Sequence, residues 1–291
     1  FHRYLNMNKD SKKLSIYKSF TNSKKYSIKW SSYFQVYEKI LSDYKNKKIK
    51  FVEIGVANGG SLFMWKKYFG NKAKIIGIDL NPNAKKLEKN GFKIYIGNQS
   101  DKKFWDYFYK NEGKVDIILD DGGHKNLQQI STVHHSLPYI KDGGKIIVED
   151  TGTSYVKKEF NNPSEYSFIN YAKNVVDNIH RRSQLLKKKL NFYSKKIFLV
   201  EFFESIVVFS IDSRKCFENK EVANRAQNEW AIDYRHNEYF RELKTKFDKK
   251  YGLLNKRSFF RRIIRKIFYR NFIFNLLDNI KIKKILRDLD K

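Results

Sequence analysis

Two apolar runs in this 291-residue chain each end in paired acids. Residues 115–121 (VDIILDD) close on Asp120 and Asp121, with His124 three residues further on, and residues 145–150 (KIIVED) close on Glu149 and Asp150. An apolar run that ends in carboxylates reads as a buried strand delivering charge to a sheet edge. In an open α/β sheet that edge is where ligands bind. Asp121, Glu149 and Asp150 could therefore meet as an all-oxygen site for a hard divalent cation such as Mg²⁺, with His124 beside them as a base. Three carboxylates drawn together repel one another unless a cation sits between them. The plainer alternative is that Asp120 and Asp121 cap a helix while Glu149 and Asp150 stay solvated.

A second group opens at Glu53, in the pattern Glu53-x-Gly55-x-x-x-Gly59-Gly60-Ser61. Glycines here let backbone approach a ligand closely, and the following helix N-terminus favours polar or anionic groups. The spacing is not that of the dinucleotide fingerprint, and an acid at position 53 would repel a pyrophosphate while tolerating a cationic amino-acid group. Asp79 follows Gly59 by 20 residues and ends the next apolar run, where an acid accepts hydrogen bonds from ribose hydroxyls. Alone, Asp79 would simply cap the helix near Pro82. Together the two features point to a nucleoside-binding α/β domain. His134 and His135 read as surface or packing residues, and His180, in the basic run HRRSQLLKKK, as a solvated face or a phosphate contact. Tyr33, Tyr37 and Tyr155 are candidates to line the pocket.

The elements that would position these residues alternate regularly. Strands are predicted at 50–56, 74–80, 93–97, 115–121 and 145–150, with helices near 30–45, 61–69, 83–90, 101–111 and 125–139. That alternation predicts a doubly wound, mostly parallel Rossmann-like sheet. Residues 151–165 read as a loop, 166–190 as a helix, and 196–211 as an antiparallel hairpin closing the sheet. The expected organisation is a helical N-terminal cap (1–50), a core (51–212) and a basic helical C-terminal extension (213–291).

Composition bounds the context. The apolar fraction of 41% suffices for a core, and one cysteine, Cys216, excludes an intrachain disulfide and a thiolate metal site. No apolar run approaches the ~20 residues that span a bilayer, and no signal peptide is visible, so a cytoplasmic setting is expected. A formal net charge of +29 asks for an anionic partner: nucleic acid, anionic lipid or a phosphorylated substrate. Residues 253–291 interleave Phe259, Phe260, Ile263, Ile264, Ile267 and Phe268 with Arg261, Arg262, Arg265 and Lys266. Such a helix suits peripheral contact with an anionic membrane at its inner face, or packing on the domain or on another subunit of a homo-oligomer.

In order, VEIGVANGGS, GIDL, GNQSD, DDGGH and IVED resemble the motifs of class I S-adenosylmethionine-dependent methyltransferases. More narrowly, they are similar to those of the metal-dependent sugar O-methyltransferases of the mycinamicin and macrocin (tylosin) type. The resemblance covers about residues 20–211. It implies that Glu53, Gly55, Gly59 and Ser61 form the methionine-side loop, that Asp79 holds the ribose, and that Gln99, Ser100 and Asp120 contribute to the cofactor site. It implies magnesium on Asp121, Glu149 and Asp150, His124 as general base, and S-adenosylhomocysteine as product. Two departures stand out: Gly123 replaces the family's usual serine, and Asn98 replaces an aspartate.

The implied acceptor is a hydroxyl of a sugar, nucleotide-linked or part of a surface or capsular polysaccharide precursor. An RNA or other nucleic-acid methyltransferase is the second reading. Against it, strand four lacks an Asp/Asn-Pro-Pro-aromatic tetrapeptide, no proline precedes the lone cysteine, and ribose methylation more often uses a lysine-centred site. A non-catalytic basic membrane-associated protein is the third, and the complete motif set argues against it.

Overall fold

The computed structural model describes residues 11–157, 165–224, 245, 248–250, 259, 263 and 272–288. The chain divides into two compact units, Phe1–Val222 and Ala223–Lys291. The first is built on seven strands: β1 (Lys50–Ile54), β2 (Lys74–Asp79), β3 (Lys93–Ile96), β4 (Val115–Asp120), β5 (Ile140–Val148), β6 (Ile197–Phe203) and β7 (Ile206–Ile211). They lie in the order β3-β2-β1-β4-β5-β7-β6. The first five strands pair in parallel and β7 is antiparallel to both neighbours, so the expected sheet with its closing hairpin is what forms.

Strand alternation gives this sheet two dry faces. Phe51, Ile117 and Leu119 pack on one side with α1 (Ser15–Thr21), α2 (Tyr33–Leu41) and α3 (Gly60–Phe69). Val52, Ile54 and Ile118 pack on the other, with α4 (Lys102–Glu112), α5 (Asn126–Ser136) and α6 (Phe168–Ile179). Helix α2 carries Tyr33, Phe34, Tyr37, Ile40 and Leu41 on its buried face, the spacing of a core-facing helical stripe. Its Glu38 carboxylate accepts from Ser15 Oγ and the Ile16 amide at the start of α1, where orphan donors and the helix dipole favour an anion. The N-terminal segment is therefore built into the same layer as the core.

Three boundaries differ from expectation. β5 begins at Ile140, not 145, because the strand runs on through Gly143, whose φ of +83° only glycine takes freely, and Gly144, with a register shift against β4 between Val115 and Ile117. Residues 82–90 form a 3₁₀ helix, started by Pro82 after an Asn81 cap. The long helix expected over 166–190 stops at Ile179 and gives way to short 3₁₀ turns and α7 (Phe192–Lys196). There Arg182 turns inward to donate to the carbonyls of Ser194 and Phe198, contacts a continuous helix would forfeit. In the second unit α8 spans Phe272–Asp288. Phe260, Ile264, Ile267 and Phe268 and the basic residues between them lie outside the described residues. Among the described residues no helix is long and apolar enough to cross a membrane.

Candidate active site

The acids gather because three neighbouring strands end together. Asp120, the last residue of β4, sits between Ile54 of β1 and Val148 of β5. The ladder runs one step further on each side, Asp121 N donating to Ile54 O at 3.0 Å and Glu149 N to Asp120 O at 2.9 Å. Asp121, Glu149 and Asp150 therefore emerge side by side at the carboxyl edge. Gln129 of α5 donates to Glu149 O at 2.9 Å, and Thr153 Oγ1 donates to the His124 main-chain carbonyl at 3.0 Å, tying the turn after β5 to the loop after β4.

Ligand atoms of Asp121, His124 and Asp150 lie within 4.8 Å of one another. His124 Nε2 is 3.4 Å from Asp150 Oδ2, while Nδ1 is buried with no hydrogen-bond partner. His124 and Asp150 also hold positive φ, 57° and 51°, a costly conformation for residues with side chains and one that gathers at functional sites. The Asp121 and Asp150 carboxylates at this spread fit a small divalent cation, whose ligands in an octahedron stand about 3–4 Å apart, and leave the imidazole beside it.

Glu149, the third acid expected in the cage, is turned elsewhere. Its side chain is 1% exposed; Oε1 accepts from the Tyr37 hydroxyl and Oε2 from Lys29 Nζ at 2.7 Å. Lys29 Nζ also lies 2.7 Å from Asp121 Oδ2, so an ammonium stands between the two carboxylates. Burial pushes the Glu149 carboxyl well above its ordinary range, with the Lys29 charge opposing that shift. Asp150 is held by a second pair, Tyr33 Oη at 2.6 Å and Trp30 Nε1 at 3.1 Å, both on Oδ1. Trp30 and Lys29 were not singled out from sequence. Tyr33 and Tyr37, one helical turn apart on α2, point the same way, but Lys29 lies before the helix and no sequence pattern marks it. Tyr155 lies exposed at the surface.

The glycine turn packs directly on these acids. A Cβ on Gly55, whose φ is +83°, would fall 2.0 Å from Asp121 O, so only glycine permits this approach. Gly59 caps α3 in the left-handed region. Glu53 and Ser61, expected to contact cofactor, are hydrogen-bonded to each other: Glu53 is fully buried and accepts from Ser61 Oγ at 2.8 Å and Trp65 Nε1 at 3.0 Å. They brace the turn from behind. Burial lifts the Glu53 carboxyl to about 7, against the pull of the Lys29 charge.

Asp79 closes the turn from the side, its Oδ2 accepting from the Val56 and Ala57 amides and its Oδ1 from Asn81 N. Leu80, next to it, is a large apolar side chain left exposed, which sequence reasoning passed over.

Asp120 and Gln99 form a buried pair. Gln99 Nε2 donates to both Asp120 oxygens at 2.9 Å and to Thr132 Oγ1 at 3.1 Å, and its Oε1 accepts from Gly123 N. They tie the loop after β3 to the loop after β4, and neither offers a free face. Ser100 N is held by Asn98 Oδ1 at 2.9 Å, a turn that asparagine makes as well as aspartate. A Cβ on Gly123 would lie 2.4 Å from Gln128 Oε1, so the glutamine that caps α5 takes the space of the family's serine. Of the histidines outside the site, His134 Nδ1 meets the Tyr193 hydroxyl at 3.0 Å, a packing contact.

Residues 52–151 match a family described as a methyltransferase domain. Mycinamicin VI 2''-O-methyltransferase from Micromonospora griseorubida is 31% identical over 126 residues, 41% of this chain and 31% of that protein. The 8-demethyl-8-alpha-L-rhamnosyl tetracenomycin-C 2'-O-methyltransferase of Streptomyces olivaceus is 29% identical over 166 residues, 53% of this chain and 43% of that protein. The chain thus spans under half the length of these curated relatives. Among solved structures, the MycE methyltransferase of the mycinamycin pathway, in complex with Mg, SAH and mycinamycin VI, superposes with a TM-score of 0.61 at 21% identity, over 74% of this chain and 57% of that one. The sheet order, the glycine turn and the acids at strand ends thus lie in a chain whose residues 52–151 match a methyltransferase domain and which is similar to the mycinamicin and macrocin O-methyltransferases, with the fold of MycE.

Proposed function

We propose that this chain is an S-adenosylmethionine-dependent O-methyltransferase acting on a sugar hydroxyl, assisted by a divalent cation, with His124 as general base. The observation that carries the reading is the convergence of Asp121, His124 and Asp150 beside the turn at Gly55. The relatives support it, being named for O-methylation of sugars on macrolides and tetracenomycins.

The Gly55–Gly59 turn, Asp79 and Leu80 would receive S-adenosylmethionine, and Asp121 and Asp150 would hold the cation. When bound, these groups supply the methyl and a positive charge that acidifies an acceptor hydroxyl. His124 takes the hydroxyl proton at Nε2, the ring nitrogen left to meet it, since Nδ1 is shut off from solvent. Asp150 Oδ2, 3.4 Å away, stabilises the imidazolium that results. Tyr33 and Trp30 keep Asp150 from swinging out. The formal net charge of +29 favours a phosphorylated acceptor, such as a nucleotide-linked sugar or a polysaccharide precursor.

Calorimetric titration of S-adenosylhomocysteine with and without magnesium, followed by a screen of nucleotide-linked sugars for methyl uptake, tests this directly. Full turnover after exhaustive chelation would remove the cation from the reading. Methyl transfer to RNA and to no sugar would replace the substrate class. Contact of residues 253–291 with anionic membrane is a separate part of the reading. Equal liposome flotation of the full chain and of one ending near Gly252 would remove it.

A further inference from the structure

Residues 22–32, between α1 and α2, carry neither helix nor strand. The segment is tied down at Ser23, whose Oγ donates to Gly60 O at 2.7 Å at the start of α3, and at Trp30, whose indole donates to Asp150. Tyr26, Ile28 and Trp30 are exposed along it, whereas Lys29 turns its side chain inward, 2% exposed. Its ammonium lies 2.7 Å from both Asp121 Oδ2 and Glu149 Oε2. An ion bound to both of those oxygens at ~2.1 Å would need the space that Lys29 Nζ fills.

We propose that Lys29 is a built-in competitor for the divalent cation: its ammonium closes the Asp121–Glu149 side of the cage, and Glu149 becomes a ligand only when Lys29 withdraws. This rests on the reading that a divalent cation works at this site.

Glu149 is buried, and apart from Lys29 its carboxylate has the Tyr37 hydroxyl as partner. A carboxylate so enclosed is ionised only with a cation against it, and Lys29 is the cation that stands there. The ammonium and the metal are alternatives, not companions, because they claim the same oxygens. Lifting the segment breaks no helix or strand pairing, which makes the exchange feasible. With Lys29 in place, metal binds only to the fraction of molecules in which it has left, and the apparent affinity falls by that fraction. Enclosing the cation by way of a segment that also presents Trp30 to the site couples metal entry to whatever moves that segment.

The test is Mn²⁺ binding to the full chain, read by electron paramagnetic resonance of the free ion, with S-adenosylhomocysteine affinity measured on the same samples. Lys29→Met keeps the aliphatic stem and removes the charge; Lys29→Arg keeps the charge. Lys29→Met is expected to bind Mn²⁺ at least about tenfold more tightly than the parent, and Lys29→Arg to resemble the parent. In EDTA the methionine variant is expected to melt lower than the parent, and saturating Mn²⁺ to restore it.

Equal Mn²⁺ affinity in parent and Lys29→Met, both binding S-adenosylhomocysteine, would overturn the proposal and leave the cation reading standing. No Mn²⁺ binding by either, with S-adenosylhomocysteine still bound, would overturn both. If Lys29→Met does not fold, the parent decides alone. Lys29 should resist an amine-acylating reagent in EDTA and react once Mn²⁺ saturates, as mapped by mass spectrometry. Unchanged labelling would overturn the proposal.

Discussion

Two clusters of lysine and buried carboxylate sit at opposite edges of one sheet, and their charge balance is reversed. At the amino edge, Glu112 ends α4 and meets Lys50, Lys74 and Lys93, each at the start of a neighbouring strand, together with the Tyr95 hydroxyl. At the carboxyl edge a single ammonium, Lys29, faces Asp121 and Glu149, with Asp150 and Glu53 close by. Burial pushes Glu112 up, but hydrogen bonds from Lys93, Lys74 and Tyr95 outweigh it and hold the carboxyl at about 2. Burial wins at Glu149, which stays well above its ordinary value. A carboxylate surrounded by spare cations is a structural fastening. A surplus of carboxylates over cations is an unfinished site, which an ion from solution can complete.

The contrast breaks most visibly in activity. Asp121→Asn and Asp150→Asn are expected to lower single-turnover methyl transfer by about 10³-fold, and His124→Ala by about 10²–10⁴-fold. Glu112→Gln is expected to leave the rate per folded molecule unchanged. A comparable loss in Glu112→Gln would show that the two edges are not separate in role.

Stability should respond the other way round. Glu112→Ala leaves three lysines without their shared anion, and urea denaturation should show a loss of about 2 kcal/mol. That is less than for a fully buried pair, because those lysines are about half exposed. Asp121→Asn removes one of the surplus charges, leaves Lys29 on Glu149, and is expected to change stability by under about 1 kcal/mol in EDTA.

The pH dependence has opposite signs at the two edges. The folded-state pKa of Glu112 is depressed, so its contribution is present above about 4.5 and lost as pH falls towards about 2. Glu53 is raised to about 7, so its contribution is present below about 4.5 and lost as pH rises through 7. Denaturation curves from pH 3 to 8 should show Glu112→Gln flattening the acid limb and Glu53→Gln flattening the decline towards neutrality, each by about 1–2 kcal/mol. The same limb flattening in both variants would contradict the assignment.

The strands and the acids were legible because a fully buried parallel strand writes itself as an unbroken apolar run, and charge at its end has nowhere to go but the edge. That reasoning placed Asp121, Glu149 and Asp150 side by side before any coordinates. It could not see Lys29. One inward lysine in a lysine-rich segment looks like its solvated neighbours, and its meaning comes from a contact 120 residues away in sequence. The protein partners of Glu53 and Gln99 were hidden for a related reason: a polar side chain beside a ligand loop can face the ligand or brace the loop, and composition does not say which. The early start of β5 was hidden because Gly143 and Gly144 carry no strand preference, yet they lie within the strand.

The smallest effect sharpens the comparison most. Lys93 Nζ lies 2.6 Å from Glu112 and packs over the Tyr95 ring at 5.1 Å, the geometry of a strong ion pair. Yet Glu112 keeps Lys74 at 2.9 Å, Lys50 and the Tyr95 hydroxyl when Lys93 is removed. Lys93→Met is therefore expected to cost under about 1 kcal/mol, within the range of exposed ion pairs. Lys29→Met removes the one ammonium between Asp121 and Glu149, and should cost more in EDTA and recover on adding Mn²⁺. Paired thermal melts of the two variants, each with EDTA and with Mn²⁺, read the difference directly. If Lys93→Met lost as much as Glu112→Ala, the three lysines would be acting as one unit. Redundancy would then no longer distinguish the amino edge from the carboxyl edge.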